Sequence, residues 1–83
     1  MYLHIGQDTV VRTDTIVGVF DLETSTISKK TREFLAKAEK DGNVITVSYD
    51  LPRSFIICHE NGGSKVYISS ISSHTLIKRK GRL

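Results

Sequence analysis

The chain has one cysteine, Cys58, so it cannot close an internal disulfide, and a lone thiol suits a reducing compartment. Tryptophan is absent, and proline and methionine occur once each. No apolar stretch approaches the length needed to span a membrane. The N-terminal MYLHIGQDTV lacks the basic start and long apolar run of a signal peptide. The expectation is a soluble cytoplasmic protein without a disulfide scaffold or a membrane anchor. Metal ligands are scarce as well. One cysteine and three histidines fall short of a structural zinc set unless distant residues converge. NGGSK, 61–65, has a glycine pair and a lysine but lacks the remaining spacing of a phosphate-binding loop and its following helix. No paired carboxylates form a recognisable hydrolytic arrangement, and there is no internal repeat or low-complexity linker. The reading is a non-enzyme with no cofactor, no metal and no small-molecule substrate.

What is present is one small domain. In 83 residues, 39% hydrophobic and 25% charged side chains are an ordinary globular balance. A core of this size is modest, and self-association is one common way to bury more apolar surface. The net charge of +3 permits nucleic-acid binding without requiring it.

Strand patterns dominate. MYLHI alternates and stops at Gly6; TVVR, 9–12, is β-branched; TDT, 13–15, offers a turn; IVGVF, 16–20, is an apolar run for a buried strand. Gly18 inside that run predicts a bulge or a close approach. The period then changes: Ile27, Thr31, Phe34, Leu35 and Ala38 fall on one helical face. Thr24, Ser25 and Thr26 offer N-cap hydroxyls, and Asp41-Gly42 a helix end. NVITVSY, 43–49, alternates again, with Ile45, Val47 and Tyr49 on one side. RSFIICHE, 53–60, and KVYIS, 65–69, are two further strands around an Asn-Gly-Gly turn. A short helical turn from Ser72 or Ser73 carries Leu76 and Ile77, and the basic KRKGRL after it is expected to fray. The order β-β-β-α-β-β-β, with a short C-terminal helix, predicts an α+β domain over 1–79 and a basic tail over 80–83.

Cys58-His59-Glu60 invites a catalytic or metal reading. Neighbours on a strand point to opposite faces, so Cys58 and His59 cannot readily serve one centre. Cys58 shares its face with Ile56, which is the pattern of core packing. The cations form another set: Arg12; Lys29 and Lys30 at the helix start; Arg53; and Lys78 and Arg79 near the C-terminus. Helix N-termini and arginines held by a rigid backbone suit phosphate, and Pro52 fixes the chain just before Arg53. The competing reading is a solvated charged surface.

The segments HIG (4–6), IVGVFDLETSTIS (16–28), VSYDLPRSFII (47–57) and VYISSISSHTLIKR (66–79) occur in this order, and the chain resembles the bacterial extracellular matrix regulatory family, the RemA and RemB proteins. It is closer to the RemB branch, and the resemblance spans roughly residues 2 to 79. It implies a LytTR-like fold, assembly into closed rings, and DNA-binding transcriptional regulation of biofilm-matrix genes, with repeated basic surfaces facing double-stranded DNA. An arginine before the second long strand of RemA-like chains matches Arg53. Their Gly-Arg-Arg after the position of Tyr49 is replaced here by Asp50-Leu51-Pro52. Another of their arginines corresponds to about Thr15, with Arg12 nearby but not equivalent. The implied DNA contacts are Arg53, Lys29, Lys30 and Arg12, with Lys78 and Arg79 behind them. The alternative is an oligomer of the same fold that serves structure or protein interaction and leaves DNA alone.

Overall fold

The computed structural model of the chain describes residues 1–80. They form β1 (Tyr2–Gly6), β2 (Thr9–Arg12), a 3-10 turn (Thr13–Thr15), β3 (Ile16–Asp21), α1 (Leu22–Ser25), α2 (Lys29–Lys40), β4 (Val44–Thr46), β5 (Ser54–Glu60), β6 (Gly63–Ser69) and α3 (Ser73–Lys80). The α+β class and the order of the six strands around a central helix agree with the sequence pattern. No helix among the described residues is long and apolar enough to cross a membrane.

β1 and β2 form a separate hairpin, and the other strands form one sheet in the order β3-β5-β6-β4. β3 with β5 and β5 with β6 are antiparallel, while β4 runs parallel to β6. The β5–β6 connection is a two-residue turn: Glu60 pairs with Gly63, and Asn61 and Gly62 both take positive φ, 54° and 79°. At Gly18 the register with β5 shifts, and a Cβ there would lie 2.6 Å from the Phe20 ring. The bulge and the close approach expected at this glycine are both present. With the position empty, the Phe20 ring stacks on Phe55, centroids 5.0 Å apart.

Alternation along β5 divides the interior into two cores. Ile56 and Cys58 point to the side where the hairpin and α3 supply Leu3, Ile5, Val11 and Leu76. Phe55 points to the other side, where Ala38 of α2 and Val66 of β6 are buried, with Leu35 and Val44 against them. Three elements cover the first face; on the second, α2 is joined only by Leu22 of the short α1. α2 packs on β4 and β6 and leaves the β3 side of that face open.

Four local expectations are corrected. The central helix is capped by Ser28, whose Oγ accepts from the Thr31 N–H, and not by Thr24–Thr26. Those residues belong to α1 and its end, because the Asp21 carboxylate accepts from the Thr24 N–H and starts a separate helix there. Ile27 therefore lies between the two helices, 77% exposed, and takes no part in the α2 stripe. The strand expected over 43–49 keeps only Val44–Thr46. After Val47 donates to the Ile68 carbonyl, the chain must leave the parallel pairing and cross to the start of β5. The Ser48 Oγ accepts from the Asp50 N–H and makes that turn, which leaves Tyr49 fully exposed. Finally, α3 reaches Lys80, so Lys78 and Arg79 are helical and not frayed. Buried Leu76 and an Ser72 hydroxyl that accepts from the Thr75 N–H anchor it. Of the basic tail over 80–83, residues 81–83 lie outside the described residues.

The Ser69 side chain ties several elements together. Its hydroxyl, buried, donates to the Ile5 carbonyl at 2.6 Å and accepts from the Ile71 N–H at 3.0 Å. Ser69→Ala leaves the buried Ile5 carbonyl and the half-buried Ile71 N–H without this partner, and the expected loss is about 1–3 kcal/mol. Ser70→Ala serves as the control and is expected to stay within about 0.5 kcal/mol of the parent. Urea unfolding of the two variants checks this, and equal midpoints would remove the role given to Ser69.

Candidate functional site

Arg53 stands at the mouth of β5 with its backbone fastened on both sides. Its N–H donates to the Ser69 carbonyl at 2.9 Å, and its carbonyl accepts from the Leu22 N–H at 3.0 Å. The position is thus held between the last residue of β6 and the first of α1, in addition to the restraint from Pro52. The side chain is exposed. It lines a cavity of about 160 Å³ together with Asp21, Glu23, Leu51 and Pro52. An anion approaching Arg53 therefore also meets the field of two carboxylates.

Strand register shows which cations share an end of the molecule. Asp21, Ser54 and Ser69 pair across one end of the sheet, and Ile16, Cys58 and Lys65 across the other. Arg53 precedes Ser54, and Lys29 and Lys30 open α2 near the first end. Lys30 reaches it directly, since it lines a groove with Phe20 and Phe55. Arg12 lies toward the second end, just before the turn that leads into Ile16. Lys78 and Arg79 belong to α3, across the sheet from α2. The structure thus brings Arg53, Lys29 and Lys30 to one end and separates the other three from them.

Several of these charges are already engaged. Arg12 Nη2 donates to the Asp14 carboxylate at 2.7 Å, with both side chains more than half exposed. Lys29 lies 3.9 Å from Glu33, a solvated pair one helical turn apart. Arg79 donates to the His4 carbonyl at 3.3 Å. The sequence reading did not find Asp21 and Glu23 beside Arg53. Their proximity follows from the pairing of β3 with β5, for which no local pattern exists.

Cys58 is buried in the first core, as its shared face with Ile56 predicts, and His59 is exposed with Nδ1 3.1 Å from the Ser64 hydroxyl. Among the described residues no group of three His, Cys, Asp or Glu side chains could hold a metal. Burial pushes the Cys58 thiol above its ordinary value; the Thr15 hydroxyl pulls it down, and the Glu60 charge adds a further upward push. A cavity of about 330 Å³ borders Cys58 and includes Glu60, Lys65 and Tyr67. Burial also raises the Tyr67 hydroxyl, with smaller contributions from Cys58 and Glu60. A thiol raised in the folded state keeps its proton after the unfolded chain has lost it, so rising pH favours unfolding. The urea midpoint is expected to fall from about pH 8.5 upward, and Cys58→Ala should flatten that decline below about pH 10, where Tyr67 enters. An unchanged slope in the variant would show that Cys58 is not its source.

Two comparisons bear on what this arrangement serves. Residues 2–79 match the RemA-like family, described as extracellular matrix regulatory protein A-like. The chain is also 38% identical over 79 residues to extracellular matrix regulatory protein B of Bacillus subtilis (strain 168), which covers 95% of this chain and 89% of the relative. With all six strands, α1, α2, Arg53 and all but the last residue of α3 inside the matched range, the chain belongs to the RemA-like family of extracellular matrix regulatory proteins.

Proposed function

We propose that the protein is a ring-forming, DNA-binding regulator of transcription that acts in the bacterial cytoplasm on genes for the extracellular matrix of biofilms. The observation that carries this reading is the double backbone anchor of Arg53 at the sheet end where α2 begins. A guanidinium on a fixed backbone loses little freedom when it binds phosphate. Lys29 adds a second cation there, and α2 has twelve residues behind its N-terminus. One such group per subunit is weak, but repetition around a ring multiplies it by avidity. Arg12, Lys78 and Arg79 are supporting contacts, and the Arg12–Asp14 pair makes Arg12 the weaker of them.

A second reading is an assembly of the same chains that serves as a scaffold or protein-interaction surface without DNA. Asp21 and Glu23 in the Arg53 cavity favour it, since both repel phosphate. So does Asp50-Leu51-Pro52, which stands where RemA-like chains carry Gly-Arg-Arg.

Fluorescence anisotropy with duplex DNA over a salt series distinguishes them. Phosphate binding predicts a linear fall of log affinity with log salt, with a slope of about 0.9 per neutralised phosphate. Arg53→Ala should weaken binding to unrelated duplexes alike and reduce the slope by about one for each engaged subunit. Wild-type affinity and slope in Arg53→Ala would exclude Arg53 from the interface. An oligomer that binds no duplex at low salt would establish the scaffold reading instead.

A further inference from the structure

We propose that the chain associates head to tail, with the groove between α2 and β3 of one copy receiving the Tyr49 side chain of the next. The inference rests on the self-association in the proposed function and assigns the surfaces that carry it.

The groove exists because α2 covers only the β4–β6 side of its face. Phe55 forms its buried floor, with Ile57 beside it, and Phe20 and Phe34 form walls that are 38% and 41% exposed. Its volume is about 240 Å³, and Lys30 and Thr31 stand at its border. Stacking of Phe20 on Phe55 holds the aromatic surface in place, and the absence of a side chain at Gly18 permits that stacking. A ring inserted here would extend an existing aromatic cluster.

The segment that leaves β4 and crosses to β5 supplies the matching shape. β4 is an outer strand of the sheet, and Ile45 on it is part-exposed. Tyr49 follows, fully exposed, on a turn set by buried Ser48 and its bond to the Asp50 N–H. An aromatic ring projected from a constrained backbone loses little entropy on docking. Charge supports the same pairing. Among the described residues no carboxylate lies within 4 Å of Lys30 at the groove, and no cation lies within 4 Å of Asp50 beside Tyr49. Docking Tyr49 brings Asp50 toward Lys30 of the neighbour. Lys30 then serves assembly, and Lys29 and Arg53 keep the phosphate role.

Because the groove and the tyrosine are different patches of one chain, each copy uses both at once, which is a heterologous contact that can close into a ring. This leads to a specific test by analytical ultracentrifugation. Phe34→Asp spoils the groove and leaves the tyrosine intact; Tyr49→Asp does the reverse. Each variant alone is expected to sediment as the 9.3 kDa monomer. An equal mixture still contains one good groove and one good tyrosine per pair, so it should stop at two chains. Wild-type mass in either single variant, or a mixture of folded variants that stays monomeric, would overturn the assignment. Charge reversal tests it without touching the apolar surface: Lys30→Glu and Asp50→Lys should each lower the mass at low salt, and the double variant should restore it. Failure of the double variant to regain mass lost in the single ones would also overturn the pairing. Monomeric wild type would defeat self-association itself, whereas oligomeric wild type with indifferent variants would defeat these surfaces alone.

Discussion

The hydroxyl of Ser69 holds the layers of this domain in register. It donates to the Ile5 carbonyl of β1 and accepts from the Ile71 N–H on the way to α3. The Ser69 carbonyl accepts from Arg53 at the start of β5, and the Ser54 hydroxyl, in the next strand, donates to the Ile71 carbonyl. Hairpin, sheet and C-terminal helix therefore meet at a pair of small polar side chains. Such a cluster suits a narrow place: serine is small enough to let three backbones approach, and each buried polar group there has a partner. The position of Arg53 depends on the same cluster, because its N–H is one of the groups satisfied there.

Unequal covering of the two sheet faces is the second constraint. The first core is enclosed by a hairpin and a helix, and its central residues are fully buried. The second has α2 and one leucine of the short α1 for four strands, so part of an aromatic surface stays open. In so small a domain, apolar area left uncovered is a large share of what could be buried. Any contact that covered this surface would add to the stability of the folded chain.

Much of the fold was legible because the signals were local. Alternation in β1 and β5, the Asn61-Gly62 turn and the glycine in β3 each act within a few residues, and each appears in the structure. The helix stripe was legible over Thr31–Ala38 but not at Ile27, because two capping side chains, Asp21 and Ser28, compete within eight residues and both win. The end of β4 was not legible, since alternation continues through Tyr49 while the parallel partner has already been passed. The candidate site was legible as a list of cations and opaque as a place. Arg53 and Lys29 come to one end only through the pairing of β3 with β5, and the same pairing brings Asp21 and Glu23 beside Arg53.

The bond from Ser69 to Ile5 joins residues 64 positions apart, and Leu76 of α3 is buried among residues of the N-terminal hairpin. The hairpin is made before α3, so its apolar face is not fully covered until α3 has been synthesised. α2 and the strands it covers can associate earlier, whereas the first core closes only once α3 is present. Leu3, Ile5 and Val11 therefore lack the Leu76 contact until α3 is made, and docking of α3 completes the cover that Ile56 and Cys58 of β5 begin.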